Sequence, residues 1–215
     1  MPPPHAYSHR QLCDVAKGLE YLHTCDVIHG DLKGVSGSKH PFTAVLTLDQ
    51  KNVLVDDSGH ARIADFGLAT VAQTMDSIRS ASHHDCSSRW TAPEILNGGP
   101  HNKQTDIFSF AMIMIEVRHG RYTACRGLAH CHFVSIQIFT GAIPFNNYVT
   151  IAAMLAVAKG ERPPRPMHPT FTDTLWTLMQ RCWDHTPHLR PEISEALEVL
   201  LIPSVSPPPQ RSCPR

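Results

Sequence analysis

No stretch of this sequence is apolar for long enough to span a bilayer, and its first residues, Met1 to Pro4, lack the hydrophobic segment that a secretory signal needs. A membrane partner is therefore not expected. Charge of one sign is missing too: 19 Lys and Arg balance 19 Asp and Glu, so nothing marks a nucleic-acid footprint or an attraction to acidic lipid. No Cys-x-x-Cys occurs among the seven cysteines. An odd, scattered set suits reduced thiols in a cytoplasmic protein better than a disulfide framework. What is present is ordinary for a soluble globular chain. With 42% hydrophobic residues against 18% charged ones, there is enough apolar material for one domain or a large part of one.

Proline divides the chain. Clusters at Pro2–Pro4, Pro163–Pro169 and Pro203–Pro214 cannot sit inside helices or central strands. The expected organisation is a proline-rich start over 1–8, an ordered body over 9–202 and a disordered proline-rich tail over 203–215. Leu12, Val15, Ala16, Leu19 and Leu22 recur on one face of a first helix, with Ser8 placed to act as its N-cap. Val53-Leu54-Val55 and Ala61-Arg62-Ile63-Ala64 flank Asp56-Asp57-Ser58-Gly59, which predicts a β-hairpin. Phe108 to Glu116 is apolar nearly all round and predicts a buried helix. Ile151–Lys159, Phe171–Trp183 and Ile193–Leu201 read as surface helices. The expected fold class is mainly α with a small β-hairpin.

Polar groups on the edges of these elements follow an informative order. Val27-Ile28-His29-Gly30-Asp31-Leu32-Lys33 comes after the first helix, Asn52 just before the hairpin and Asp65-Phe66-Gly67 just after it; then come Trp90-Thr91-Ala92-Pro93-Glu94 and Thr105-Asp106-Ile107-Phe108-Ser109-Phe110. Leu175-Trp176 through Arg190-Pro191 closes the series. Any one tripeptide here is weak, but the ordered set with a hairpin inside it is specific. It resembles the large, C-terminal lobe of a protein kinase, in the tyrosine-kinase-like group of serine/threonine kinases, over roughly residues 9–201.

That resemblance implies phosphoryl transfer, in which protein groups position reactants and neutralise charge. Asp31 would take the proton of a substrate hydroxyl, and Lys33 would offset charge on the transferred phosphoryl group. Asn52 and Asp65, at the two ends of the hairpin, supply the hard oxygen ligands that suit Mg²⁺. Leu54 and Phe66 read as core, and the family also places those positions under the adenine of ATP and in a packed spine. His29 reads as a packed, hydrogen-bonded histidine. Glu94 and Arg190 would form a structural ion pair. The lysine at position 33 matches the serine/threonine branch, so the implied partners are ATP and a protein substrate. Ser77, Ser80, Ser82, Ser87, Ser88 and Thr91 fall in the candidate activation segment. Any of them could be phosphorylated, but Gly30 replaces the usual arginine before the catalytic aspartate, so dependence on such phosphorylation is not expected.

Three further features depart from the family. Asp31 and Asn52 stand twenty-one residues apart (52 − 31) rather than five; removing 35–50 restores the spacing. Removing 117–137 likewise joins Glu116 to Ile138-Phe139-Thr140-Gly141. Both segments begin with valine and end with glutamine, residues whose codons can carry splice donor and acceptor signals, so both read as translated introns; genuine loop insertions are the alternative. Cys125, His130, Cys131 and His132 in the second segment lack the spacing of a zinc site. Finally, no glycine-rich loop, strand lysine or helix glutamate precedes His9, so the N-terminal lobe that roofs the nucleotide is missing from these residues. The expectation is very weak ATP binding and no measurable phosphoryl transfer by the 215 residues alone. A catalytically dead, kinase-like scaffold is the rival from another class, and a gene-model fragment without a stable product is a third.

Overall fold

In a computed structural model of the protein, the residues described are 4–34, 52–56, 58, 60–66, 69–71, 89–118, 137–138, 143–167 and 171–202. The tail 203–215, the serines from Ser77 to Ser88 and the segments 35–50 and 119–136 lie outside them. Helices dominate: α1 (Pro4–Thr24), α2 (Pro93–Leu96), α3 (Lys103–Glu116), α4 (Thr150–Ala158), α5 (Asp173–Cys182) and α6 (Ile193–Leu201). Among the described residues six short strands, β1 (Val27–Ile28), β2 (Val53–Val55), β3 (Ala61–Ile63), β4 (Thr70–Val71), β5 (Val117–Arg118) and β6 (Gln137–Ile138), form three separate antiparallel pairs. One pair, β2–β3, is the expected hairpin, with Leu54 opposite Arg62. The other two, β1–β4 and β5–β6, are too short to leave a periodic signal in sequence.

The core is organised around α3. Phe108, Phe110, Ala111, Met112, Ile113 and Met114 are all at most 1% exposed, which is why this helix has no polar face. Its start is fixed by Asn102, whose side-chain oxygen accepts from Thr105 N at 3.0 Å while Asn102 N donates to Thr105 Oγ1 at 3.1 Å. That reciprocal cap satisfies two otherwise orphaned amides. The helix runs unbroken to Glu116, where β5 and β6 pair directly after it.

α1 presents Leu12, Val15, Ala16 and Leu19, buried at 1% or less, to this core. Its beginning corrects the expected Ser8 cap. The helix starts four residues earlier, at Pro4, because the fixed φ of proline suits a first helical position and its missing N–H costs nothing there. At the other end Asp26 takes the left-handed conformation (φ 56°) and its carboxylate pairs with Lys103 Nζ at 2.6 Å.

The β2–β3 hairpin docks on α1 at two points. Asp14 accepts from Ala61 N at 3.2 Å and meets His60 Nδ1 at 3.0 Å. Gly18 lets Ile63 approach so closely that an added Cβ would lie 3.2 Å from Ile63 Cδ1. Inside the turn, Asp56 Oδ1 accepts from Ser58 N and His60 N, both at 3.0 Å.

α5 buries Leu175, Leu178, Met179 and Cys182, with Thr172 capping it through Leu175 N; α6 buries Ile193, Ala196, Leu197 and Leu200. Both show the expected one-sided pattern. α4 does not. It is apolar all round, burying Ala153, Ala156 and Val157 while leaving Ile151 and Leu155 largely exposed.

Candidate active site

The pairing of β1 with β4 and of β2 with β3 brings three separate segments together. β1 leads into His29-Gly30-Asp31, Asn52 precedes β2, and Ala64-Asp65-Phe66 follows β3. Ala64 N donates to Asn52 O at 2.8 Å, which extends the hairpin by one bond. Fully buried His29 then ties the first segment to the third, with Nε2 placed 3.1 Å from Ala64 O and Nδ1 3.3 Å from Asp31 N. A neutral ring protonated on Nε2 satisfies both contacts at once.

Asp106, in the first turn of α3, anchors the same segment from below. It is 1% exposed, its Oδ1 accepts from Gly30 N at 2.9 Å, and its Oδ2 accepts from His29 N at 2.9 Å and meets His23 Nε2 at 3.0 Å. Gly30 is in left-handed backbone (φ 76°), which glycine adopts without strain.

Asp31 Oδ2 accepts from Lys33 Nζ at 2.9 Å and from Asn52 Nδ2 at 3.0 Å, and Asn52 Nδ2 also donates to Asp31 O. Lys33 and Asn52 are buried; Asp31 is mostly so. Three of the residues named from sequence therefore meet at one carboxylate, although 35–50 separates two of them. Among the described residues, Asn52 Oδ1 is buried without a hydrogen-bond partner. Asp65 directly follows Ala64, exposed and left-handed (φ 60°). Leu54 is only half-buried on β2, and Phe66, expected in the core, is half exposed with its ring 5.6 Å from that of His29.

One wall of the Asp31 pocket comes from the residues before α2. A cavity of about 20 Å³, room for one water, is lined by Gly30, Asp31, Trp90, Ala92, Thr105 and Ser109. Ser109 Oγ donates to Trp90 O at 2.8 Å, which fixes this wall to α3.

Below it lies the expected Glu94–Arg190 pair. Both guanidinium arms reach the carboxylate, at 2.6 and 2.8 Å, and Arg190 also donates to Asp184 O and Gln104 O. Arg162 and Arg190 each lie 5.1 Å from the centre of the Phe108 ring. Burial, and then the neighbouring Arg190 charge, bring the Arg162 guanidinium down to about 10. With Arg190 fully buried, removing its counter-charge leaves a cation in a dry site beside a second one. Glu94→Gln should cost about 3 kcal/mol and lower Tm by roughly 6–12 °C. The control Glu195→Gln, which breaks the exposed pair Arg181–Glu195, should cost less than about 1 kcal/mol. Thermal unfolding of both variants checks this; equal shifts would show that the buried pair has no special weight.

The family model for protein tyrosine and serine/threonine kinases matches residues 46–200. The chain belongs to that family. It is similar to the serine/threonine-protein kinase STY17 of Arabidopsis thaliana (32% identity over 190 residues, 87% of this chain and 26% of that protein). It is also similar to the serine/threonine/tyrosine-protein kinase HT1 of the same plant (29% over 192 residues, 89% of this chain, 38% of that protein). A third relative is the probable serine/threonine-protein kinase drkC of Dictyostelium discoideum (30% over 190 residues, 87% of this chain, 20% of that protein). The chain thus spans well under half the length of these curated relatives. As a family, protein kinases use ATP and a divalent metal. No described helix is long and apolar enough to cross a membrane.

Asp106, Asn102 and Arg89 were not singled out for a role by sequence. An aspartate and a polar cap at the head of an otherwise apolar helix are the signal that could have found the first two.

Proposed function

We propose that this chain is the catalytic-loop and acceptor side of a serine/threonine protein kinase, and the observation that carries the reading is the convergence of Lys33 and Asn52 on the Asp31 carboxylate. Asp31 accepts the proton of a serine or threonine hydroxyl as its oxygen attacks the γ-phosphorus of ATP. The P–O bond to the leaving ADP breaks in the same displacement. Lys33 offsets charge on the group in transit and, by holding one carboxylate oxygen, aims the other.

The donor set fits Mg²⁺. Among the described residues no three carboxylate, imidazole or thiolate groups gather into a metal cage. What exists is a buried orphan amide oxygen on Asn52 with the Asp65 carboxylate beyond the hairpin. Mg²⁺ favours few protein ligands, with water and phosphate oxygens completing its shell. Asn52 and Asp65 would hold it, and its charge, when bound, neutralises the phosphates. Leu54 would lie against the adenine.

The test is phosphate incorporation into serine peptides with and without Mg²⁺, by the 215-residue chain alone and by the chain joined to a small lobe carrying a glycine-rich loop and its lysine. The joined form should transfer phosphate only with Mg²⁺, and the chain alone should transfer none. A joined form that binds Mg·ATP, seen as a raised Tm, yet transfers nothing would favour the scaffold. The segments 35–50 and 117–137 belong to the same proposal as retained introns, and sequencing the mature transcript, from which both should be absent, decides it. A cytoplasmic location, in keeping with the unpaired thiols, completes the reading.

A further inference from the structure

Arg89 has no part in the chemistry just described, yet it makes the most demanding polar contacts near the acceptor wall. Its side chain is buried, and its guanidinium donates to three backbone carbonyls of one short turn: Nη1 to Pro144 O at 3.0 Å and Phe145 O at 2.7 Å, and Nη2 to Tyr148 O at 2.7 Å. The turn it grips is itself unusual. Phe145 holds a left-handed conformation (φ 55°), which is strained for an aromatic residue and persists only where surrounding contacts impose it. Tyr148 packs edge-on against Phe145, with ring centroids 5.7 Å apart, and the next residues begin α4.

The adjoining residue, Trp90, lines the Asp31 pocket and is tied to α3 through Ser109. Arg89 therefore stands where the wall beside Asp31 meets the turn that launches α4, and it fastens one to the other. We propose that Arg89 is a positioning residue for the acceptor polypeptide: it holds the 144–148 turn level with the Trp90–Ala92 wall, so that a serine- or threonine-bearing segment lying across both delivers its hydroxyl to Asp31. This rests on the kinase reading above and adds to it the element that sets peptide placement. The planar fork suits the task because its several N–H donors diverge toward separate acceptors, whereas a lysine offers one compact charge.

The test uses the whole 215-residue chain with Arg89→Lys and Arg89→Gln, and reads binding rather than turnover. A fluorescein-labelled pool of short serine-centred peptides is titrated by fluorescence anisotropy, and amide hydrogen exchange is followed over 143–149 and, as a reference, over 107–115 in α3. The expected result is a peptide Kd raised about 10-fold in Arg89→Gln, with Arg89→Lys between it and the wild type, as loss of charge-assisted bonds predicts. Exchange should accelerate over 143–149 and stay unchanged in α3. Wild-type peptide affinity in Arg89→Gln, unchanged exchange in the turn, acceleration of α3 in step with it, or a wild type that binds none of the pool would each overturn the inference. Graded peptide binding without any phosphate transfer by the joined form would leave Arg89 in this role and count against the catalytic reading alone.

Discussion

Asp31→Asn, made in the chain joined to a small lobe, should lower phosphate transfer by about a thousandfold while leaving the fold in place. A positioned general base contributes typically 10²–10⁴, and an amide has no comparable affinity for a proton. The substitution is also poorly matched to its setting. Oδ2 of Asp31 faces two donors, Lys33 Nζ and Asn52 Nδ2; an asparagine can turn its oxygen to them, but a buried ammonium then loses its counter-charge. Some loss of stability, on the order of 1–2 kcal/mol, should accompany the loss of rate for that reason. Steady-state incorporation and a thermal melt separate the two effects. Retention of more than about a tenth of the wild-type rate would remove Asp31 from the role of base.

Asp106→Ala should have the largest effect on the scaffold. The carboxylate serves Gly30 N, His29 N and the His23 ring; Asp106, His29 and His23 are buried and Gly30 is partly so. Alanine leaves three polar groups unpaired, and each buried orphan costs about 1–3 kcal/mol. A total near 4 kcal/mol would lower Tm by about 8–16 °C for a chain of this size. Asp106→Asn keeps one acceptor oxygen but turns an NH₂ toward a remaining donor, so its loss should be about half as great. In either variant the joined form should also lose rate by about a hundredfold, because Asp31 is held at its height by those two amides and small misplacements are expensive. A Tm within 2 °C of wild type for Asp106→Ala would show that the catalytic loop is held by something else.

How far the sequence alone led can be judged from these same residues. The hairpin and α3 were legible because each carries its own local signature: branched residues around an Asp-rich turn in one, and the lack of any polar face in the other. Asp31, Lys33, Asn52 and Asp65 were picked out as candidates through a family pattern rather than through spacing, since Asp31 and Asn52 lie too far apart in this chain for local rules to join them. Asp106 and Arg89 were not legible as anchors. Each acts from a side chain onto backbone amides or carbonyls more than fifty residues away, and backbone atoms leave no mark in sequence. Ser8 misled because a good N-cap residue can stand inside a helix once a proline upstream offers an earlier start. Phe66 misled because an aromatic at the edge of a pocket need not be enclosed.

The packing of α1 on α6 has a temporal side. Cys13 Sγ–H points to Leu200 O across 187 residues, so the apolar face of the first helix is covered by the last. During synthesis at about 5–20 residues per second, Leu12, Val15, Ala16 and Leu19 would wait roughly 10–40 s for α6 to follow. For that interval a nascent chain carries an unfinished hydrophobic surface. Aggregation of a product stopped short of Ile193 is the expected consequence of closing one core with two helices so far apart in sequence.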